Sequence, residues 1–409
     1  MDAELERRLA AIGGVVIEGP KACGKTATAR QIARSEVLLD VDTNAQQAVS
    51  LAPPLVLVGE TPRLLDEWQV EPRIWNLVRR EIDDRGLPGQ FILTGSAVPP
   101  DDETRHTGAG RISRLRMRPM SLFESGRSTG AISLNRLLDG EAASAADAGL
   151  TVPDLAEEIA IGGWPGSRGL PLRDALQGVR DYVDEIRRTD VRRVDGVSRD
   201  PDRVGRLLRS LARHTATHAA ATTLALDAEG ADGPLKDDTA RDYVAALTRL
   251  MVVEDLPSWA PHLRAKATLR GAPKRHFVDP SIAVAALRAT PDRLLADLNL
   301  LGYLFESLVV RDLRVYAQSF DADLLQYRDS NGVEADCVVQ CLDGRWAAFE
   351  VKLGSGMVDA AAASLTRFAE QIDPEKSGAP ALLGVIVGTG YGYVRDDGIA
   401  VIPIGALGP

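Results

Sequence analysis

Short apolar runs alternate with amphipathic stretches over the first hundred residues of the chain. Residues 15–17, 36–42 and 90–96 have the apolar content and the length of buried strands. Residues 26–35 and 72–84 have the spacing of amphipathic helices. This alternation predicts an α/β domain with a parallel sheet covered by helices on both faces.

The segment between the first predicted strand and the first predicted helix has the spacing of a phosphate-binding loop. It reads Gly-Pro-Lys-Ala-Cys-Gly-Lys-Thr, which matches the Walker A pattern. Glycines let successive N–H groups turn toward a phosphate, and the helix N-terminus adds partial positive charge. We therefore expect ATP to be held by the following residues: Gly19, Pro20, Lys21, Ala22, Cys23, Gly24, Lys25 and Thr26.

Two of these side chains have specific expected roles. Lys25 would reach the β and γ phosphates and act in catalysis, and the Thr26 hydroxyl would bind Mg²⁺. The chain lacks the Asn-Lys-x-Asp string typical of guanine recognition, which favours ATP over GTP.

A P-loop ATPase also needs a carboxylate at the end of a neighbouring strand, and two segments compete for it. Residues 55–60 are the more apolar and are expected to form a strand, but they contain no Asp. Residues 63–67 are less apolar but end in an Asp-Glu pair, and we favour this segment. Asp66 would hold Mg²⁺ through water, and Glu67 would orient or deprotonate the attacking water.

Five short motifs are distinctive when taken together: Leu-Asp-Glu-Trp-Gln at 65–69, Pro-x-x-Trp at 72–75, Phe-Ile-Leu-Thr-Gly-Ser at 91–96, Gly-Ala-Gly-Arg at 108–111 and Arg-Pro-Met-Ser-Leu at 118–122. With these motifs the chain resembles a family of prokaryotic AAA-like ATPases whose C-terminal half is a domain of unknown function with a nuclease-like fold. This resemblance implies four parts: an ATPase domain (1–125), a helical connecting segment (126–200), a winged-helix-like segment (201–260) and a nuclease-like α/β domain (261–409).

The same resemblance suggests residues that would contact the γ-phosphate. Arg111 is the candidate charge-stabilising arginine, in cis or from a neighbouring subunit, with Arg105 and Arg114 as weaker candidates. Thr94 or Ser96, at the polar end of the predicted strand 90–96, could sense the γ-phosphate by hydrogen bonding, although a strand-to-turn transition explains them nearly as well. An arginine donated across an interface would make the protein a homo-oligomer.

The C-terminal part carries a second group of charged residues. Residues 333–339 and 346–352 are predicted strands joined by a turn, with Asp336 on the first and Glu350 and Lys352 on the second. With Glu306 on a preceding helix, this order resembles the PD-(D/E)xK nuclease superfamily. The resemblance implies that Glu306, Asp336 and Glu350 bind Mg²⁺ while Lys352 orients or activates water. The alternative is an exposed hairpin with an ordinary ion pair.

Helices predicted over 204–215, 222–228 and 237–250, followed by a strand at 251–253, resemble a winged helix-turn-helix. The third helix mixes acidic and basic residues, so either DNA contact or protein packing is consistent with its sequence.

Net charge, the length of the apolar runs and the cysteine count each argue against one class of protein. The 409 residues carry a net charge of −10, which argues against a nonspecific nucleic-acid binder, although arginines cluster at 111–118 and 187–193. The apolar runs are too short to cross a membrane, and no secretory segment is expected. Three cysteines do not suggest a disulfide framework, so we expect a cytoplasmic protein.

The leading hypothesis is an ATP-dependent switch or motor that couples MgATP to a nuclease-like domain, with DNA or RNA as its partner. The alternative is a nucleotide-regulated binding protein whose C-terminal domain is a non-catalytic scaffold. A small-molecule kinase is a weaker third hypothesis, because the second half shows no recognisable acceptor site.

Overall fold

The computed structural model describes residues 1–95, 107–191, 196–231, 233–262 and 273–409. The chain divides into two compact units. The first unit comprises Met1–Pro119, Thr189–Ser198 and Ala245–Val252. The second comprises Met120–Arg188, Arg199–Val244 and Val253–Pro409. The four-part division expected from the sequence stays a prediction.

The first unit is built on a parallel sheet of five strands in the order β2-β3-β4-β1-β5. Its strands are β1 (Gly14–Glu18), β2 (Ser35–Leu38), β3 (Arg63–Asp66), β4 (Phe91–Gly95) and β5 (Ile112–Arg116). Its helices are α1 (Asp2–Ala11), α2 (Lys25–Ile32), α3 (Thr43–Leu51) and α4 (Arg73–Arg85), with 3₁₀ turns at Pro53–Leu57 and Trp68–Val70. The α/β class predicted from the sequence is confirmed.

The burial of the strands agrees with their positions in this sheet. Strands β3 and β4 are buried along their whole length, and β1 lies in register between β4 and β5. Helix α4 buries one apolar face, and its Trp75 ring lies 5.0 Å from that of Trp68. Because the strands are parallel, the carboxyl ends of β1, β3 and β4 meet at one edge of the sheet.

Two predicted strands are wrong. Residues 53–57 form a 3₁₀ turn, because the adjacent prolines at its start lack the N–H groups that a central strand needs and fit the first turn of a helix. Its carbonyl at Val56 accepts a hydrogen bond from Arg63 Nε at 2.8 Å. At 251–253 the chain turns through Met251, whose φ is 60°, and Val253 makes only an isolated bridge with Phe277.

The second unit contains a mixed sheet of six strands in the order β11-β12-β10-β9-β8-β7. These are β7 (Asp323–Arg328), β8 (Glu334–Gln340), β9 (Trp346–Lys352), β10 (Leu382–Val387), β11 (Tyr393–Val394) and β12 (Ala400–Pro403), and a separate pair joins β6 (Ile132–Ser133) to β13 (Leu407–Gly408). The antiparallel β7-β8-β9 arrangement follows from short turns, whereas β9 and β10 are parallel and need a helical crossover.

Most of the remaining helices belong to this unit. They are Leu134–Leu138, Val152–Ile161, Leu172–Glu185, Pro201–Arg213, Ala221–Asp227, Pro280–Ala286, Pro291–Leu295, Leu298–Gln318, Val358–Gln371 and Pro374–Ser377. The helix Asp237–Arg249 and the π-helical turn Ile186–Asp190 each have residues in both units. Among the described residues, none of the helices has the length and apolarity needed to cross a bilayer.

Two helices support the strands that carry Asp336, Glu350 and Lys352. They are the long helix Leu298–Gln318 and the crossover helix Val358–Gln371. The first packs against β7 and β9, and the second packs against β8, β9 and β10. An aromatic cluster of Trp259, Trp346 and Phe368 fills the adjoining core. The strand carboxylates therefore project from a rigid, well-packed sheet.

Candidate nucleotide site and a second carboxylate cluster

The loop between β1 and α2 has the backbone of a phosphate cradle. Gly24, which precedes α2, has a φ of 103°, in the left-handed region that side chains disfavour. A Cβ added at Gly19 would lie 2.3 Å from the carbonyl oxygen of Met117. Both glycines are therefore required for the loop to close around the N-terminus of α2.

Lys25 lies inside this cradle, with 6% of its surface exposed. Its Nζ donates hydrogen bonds to the carbonyl oxygens of Gly19 at 3.0 Å and Pro20 at 2.8 Å. Both acceptors are uncharged, and within the described chain no ion pair joins this ammonium to a carboxylate. Its positive charge is thus available to an anion in the loop.

Asp66 lies at the carboxyl end of β3 and contacts two other residues that the sequence analysis singled out. The Thr26 hydroxyl donates to Asp66 Oδ1 at 2.8 Å, and the Thr94 hydroxyl donates to the same oxygen. A carboxylate and a hydroxyl beside a phosphate loop are oxygen ligands of the kind that Mg²⁺ takes together with substrate phosphates. The donor set therefore fits a magnesium-nucleotide complex.

Glu67 follows Asp66 and turns out of the strand, with a φ of 54°. Its carboxylate accepts a hydrogen bond from the Gln69 side-chain amide. The sequence showed Gln69 only as part of a motif; the structure gives it a contact that orients Glu67.

A cavity of 840 Å³ opens above the loop, large enough for a nucleotide. Its lining combines the loop and the β3 edge with two residues from later in the chain: Lys21, Ala22, Gly24, Lys25, Thr26, Ala27, Arg30, Asp40, Glu67, Gln69, Val70, Asp190 and Leu250. Asp190 is buried and forms an ion pair with Lys21. Neither Asp190 nor Leu250 was predicted, because no local motif marks them.

Arg111 does not lie at this site. β5 pairs with β1 so that Ile112 is opposite Gly14 and Arg116 is opposite Glu18, which puts Arg111 at the amino edge of the sheet. The phosphate loop follows Glu18, about 15 Å further along the strands. Arg111 Nε bonds to Asp83 instead, at 2.8 Å. The expectation of a role in cis is wrong, and a role in a neighbouring subunit stays a prediction.

The other residues predicted to contact the γ-phosphate either have partners within the protein or lie outside the described residues. Arg114 forms an ion pair with Glu18, and the Thr94 hydroxyl is engaged by Asp66. Ser96, Arg105 and the arginines at 192–193 lie outside the described residues. Burial raises the pKa of the Cys23 thiol, which favours the protonated and unreactive form.

A second charged cluster lies where β8 and β9 meet the helix Leu298–Gln318. Asp336 Oδ1 is 2.9 Å from Lys274 Nζ, and Asp336 Oδ2 accepts the backbone N–H of Val351 at 3.0 Å. Lys352 Nζ lies 3.4 Å from the same Oδ2 and 2.5 Å from Glu350 Oε2. Asp336, Glu350 and Lys352 are therefore brought together as the sequence predicts.

Lys274 also reaches the helix carboxylate, with its Nζ 2.5 Å from Glu306 Oε1. Burial and the nearby charge of Asp336 raise the pKa of Glu306, and the Lys274 ammonium opposes that rise. Burial and the charge of Asp336 raise the pKa of Glu350 in the same way, and Lys352 opposes that rise. Burial acts to raise the pKa of Asp336 as well, but Lys274 and Lys352 outweigh it and hold the pKa below its usual range.

This geometry does not fit the predicted metal site at Glu306, Asp336 and Glu350. The Lys274 ammonium fills the space between two of the three carboxylates, and Lys352 contacts the third. In the described parts of the chain, no three Asp, Glu, His or Cys side chains form a group that could hold a metal ion. Lys274 was missed because its neighbours in the sequence carry no motif.

The helix Asp237–Arg249 carries an acidic residue that takes part in packing within the protein. Asp242 on this helix pairs with the buried Arg199 at 3.0 Å. That pairing is a packing contact within the second unit, and DNA contact by this helix stays a prediction.

Three family models match separate parts of the chain. Residues 13–125 match an AAA domain. Residues 152–293 match a domain of unknown function (DUF8612), and residues 301–407 match another (DUF4143). The first match supports a P-loop AAA-like ATPase. It agrees with the Walker A loop and the parallel sheet, and it supports ATP binding and hydrolysis by this part of the chain.

Among solved structures, the chain is similar to a Walker-type ATPase of Pyrococcus abyssi, with 14% sequence identity and a TM-score of 0.42. The alignment covers 70% of this chain and 94% of that chain. A superposition at that TM-score does not establish a shared fold. No curated protein matches the chain.

Proposed function

We propose that this protein is a magnesium-dependent ATPase that acts as a molecular switch. The observation that supports it most is the convergence of Lys25, Thr26, Asp66 and Glu67 at one edge of the sheet, around a nucleotide-sized cavity. Backbone N–H groups of the loop and the Lys25 ammonium hold the phosphates. Thr26 and Asp66 hold Mg²⁺, which when bound neutralises charge on the β and γ phosphates.

Glu67 is the proposed general base for hydrolysis. It follows the proposed metal-binding carboxylate directly, it lines the cavity, and Gln69 orients it. In this role Glu67 accepts a proton from the attacking water while Lys25 stabilises the phosphoryl oxygens.

Replacing Glu67 tests this assignment. Glu67→Gln removes the base while keeping the side-chain volume, and we expect ATP turnover to fall by about 10²–10⁴-fold with ATP affinity unchanged. Glu60→Gln is the matched control, because Glu60 ends the competing segment and its side chain is exposed. If turnover were lost in Glu60→Gln and kept in Glu67→Gln, the base would lie in the competing segment and the assignment to Glu67 would be wrong.

For the second unit we propose a non-catalytic role as the module that responds to nucleotide state, with DNA or RNA as its partner. The support is the charge arrangement, in which Lys274 and Lys352 already neutralise the carboxylates that a nuclease would use for metal. Self-association remains part of the proposal, since the Arg111 side chain is 43% exposed and could act in a neighbouring subunit.

Cleavage by the second unit is the competing function, and the order Asp336…Glu350-x-Lys352 on paired strands favours it. Incubation of the full-length protein with single- and double-stranded DNA and RNA, with Mg²⁺ or Mn²⁺, separates the two. We expect binding without cleavage. Divalent-dependent cleavage that disappears in Asp336→Ala and in Lys352→Ala would establish the nuclease instead.

A further inference from the structure

Lys274 has an unusual position for a lysine. Its side chain is 6% exposed, and its ammonium lies between Glu306 Oε1 at 2.5 Å and Asp336 Oδ1 at 2.9 Å. Buried ammonium groups are rare in proteins unless they are paired, and this one is paired twice.

The position of Lys274 is fixed by its backbone. Its N–H donates to the carbonyl of Leu256 at 3.0 Å, and its own carbonyl accepts from the Leu256 N–H at 2.8 Å. The side chain therefore starts from a paired segment, and Nζ is directed at the two carboxylates by the fold itself. His276, two residues further along, is buried, and its Nδ1 lies 2.8 Å from the Ser307 hydroxyl oxygen.

The oxygen atoms of Asp336 and Glu350 that do not face Lys274 also have partners. Asp336 Oδ2 accepts from the backbone N–H of Val351, and Lys352 contacts both Asp336 and Glu350. The other oxygen of Glu350 accepts from the Ser364 hydroxyl at 3.3 Å. A divalent cation bridging Glu306 and Asp336 would have to occupy the place of Nζ, because both carboxylates direct an oxygen toward that point.

We propose that Lys274 is the resident cation of this cluster, that the wild-type site takes no divalent metal, and that removal of the ammonium opens a divalent-cation site between Glu306 and Asp336. This inference rests on the proposed non-catalytic role of the second unit. Two measurements distinguish a failure of the inference from a failure of that role. Metal binding tests Lys274, whereas cleavage of nucleic acid tests the role.

The test is a Mn²⁺ titration of the nucleotide-free, full-length protein, with free Mn²⁺ followed by its electron paramagnetic resonance signal. We expect the wild type and Glu306→Gln to bind equal numbers of Mn²⁺ ions. Lys274→Ala should bind one more per chain, and Lys274→Ala combined with Glu306→Gln should lose it. Any Mn²⁺ bound at the phosphate site is common to all four proteins and cancels in the comparison.

Two outcomes would overturn the proposal. The first is a Mn²⁺ ion on the wild type that Glu306→Gln removes, because Lys274 would then share the site with a metal. The second is a folded Lys274→Ala variant, verified by circular dichroism, that binds no additional Mn²⁺. If Lys274→Ala does not fold, the comparison of the wild type with Glu306→Gln still decides whether the native cluster holds a metal.

Discussion

Lys25 and Lys274 are both buried lysines, with 6% and 5% of their surfaces exposed, but their ammonium groups contact different partners. Lys25 donates to two uncharged carbonyls of the phosphate loop, while the nearby Asp66 is engaged by two hydroxyls. Lys274 lies between two carboxylates. A buried lysine that contacts only neutral oxygens can therefore bind an anion, whereas one between carboxylates already has its counterions.

The largest effect we expect in this comparison is on stability at the second site. Lys274→Met removes the ammonium and leaves Glu306 and Asp336 buried without it, which should lower the free energy of unfolding by about 3–5 kcal/mol. Lys352→Met is the matched control, because this lysine is 23% exposed and should cost less. Urea unfolding of both variants measures the difference, and equal losses would contradict the central role given to Lys274.

The next effect concerns Asp66. Thr94→Val removes one hydroxyl donor to Asp66 without changing volume, and we expect turnover to fall by about tenfold, the equivalent of one hydrogen bond to a charged group. Higher Mg²⁺ should restore part of the activity if Thr94 positions the metal-binding carboxylate. An effect that no Mg²⁺ concentration relieves would favour direct contact of Thr94 with the γ-phosphate.

The smallest effect concerns Lys21. Its ion pair with Asp190 competes with any phosphate that Lys21 contacts, so Asp190→Asn should raise ATP affinity, by no more than about fivefold since Lys21 is 39% exposed. Isothermal titration with MgATP measures it. A weaker affinity in Asp190→Asn would mean that Asp190 helps to shape the pocket rather than restrain Lys21.

The features that the sequence predicted well are local. The phosphate loop, the strand ending in Asp66 and the paired strands carrying Asp336 and Glu350 are each contained in a few consecutive residues, and backbone preferences determine them directly. The 3₁₀ turn at Pro53–Leu57 was mistaken for a strand because its apolar content outweighed the two prolines.

The features that were missed depend on contacts between distant residues. Asp190 meets Lys21 across 169 positions, and Lys274 meets Asp336 across 62. Arg111 was misplaced because its position depends on the register of β5 against β1, which no local pattern specifies. These positions follow from tertiary packing, so a single sequence carries no local signal for them.

The most direct test of the account is equilibrium binding of MgATP to the wild type and to Lys25→Ala, with Lys21→Ala as a control in the same loop. We expect the wild type to bind, Lys25→Ala to lose about 10–100-fold in affinity, and Lys21→Ala to lose less. Saturating MgATP should also stabilise the wild type, by about 2.7 kcal/mol at 100 times Kd. Wild-type protein that binds no MgATP, or Lys25→Ala that binds as tightly as the wild type, would contradict the account.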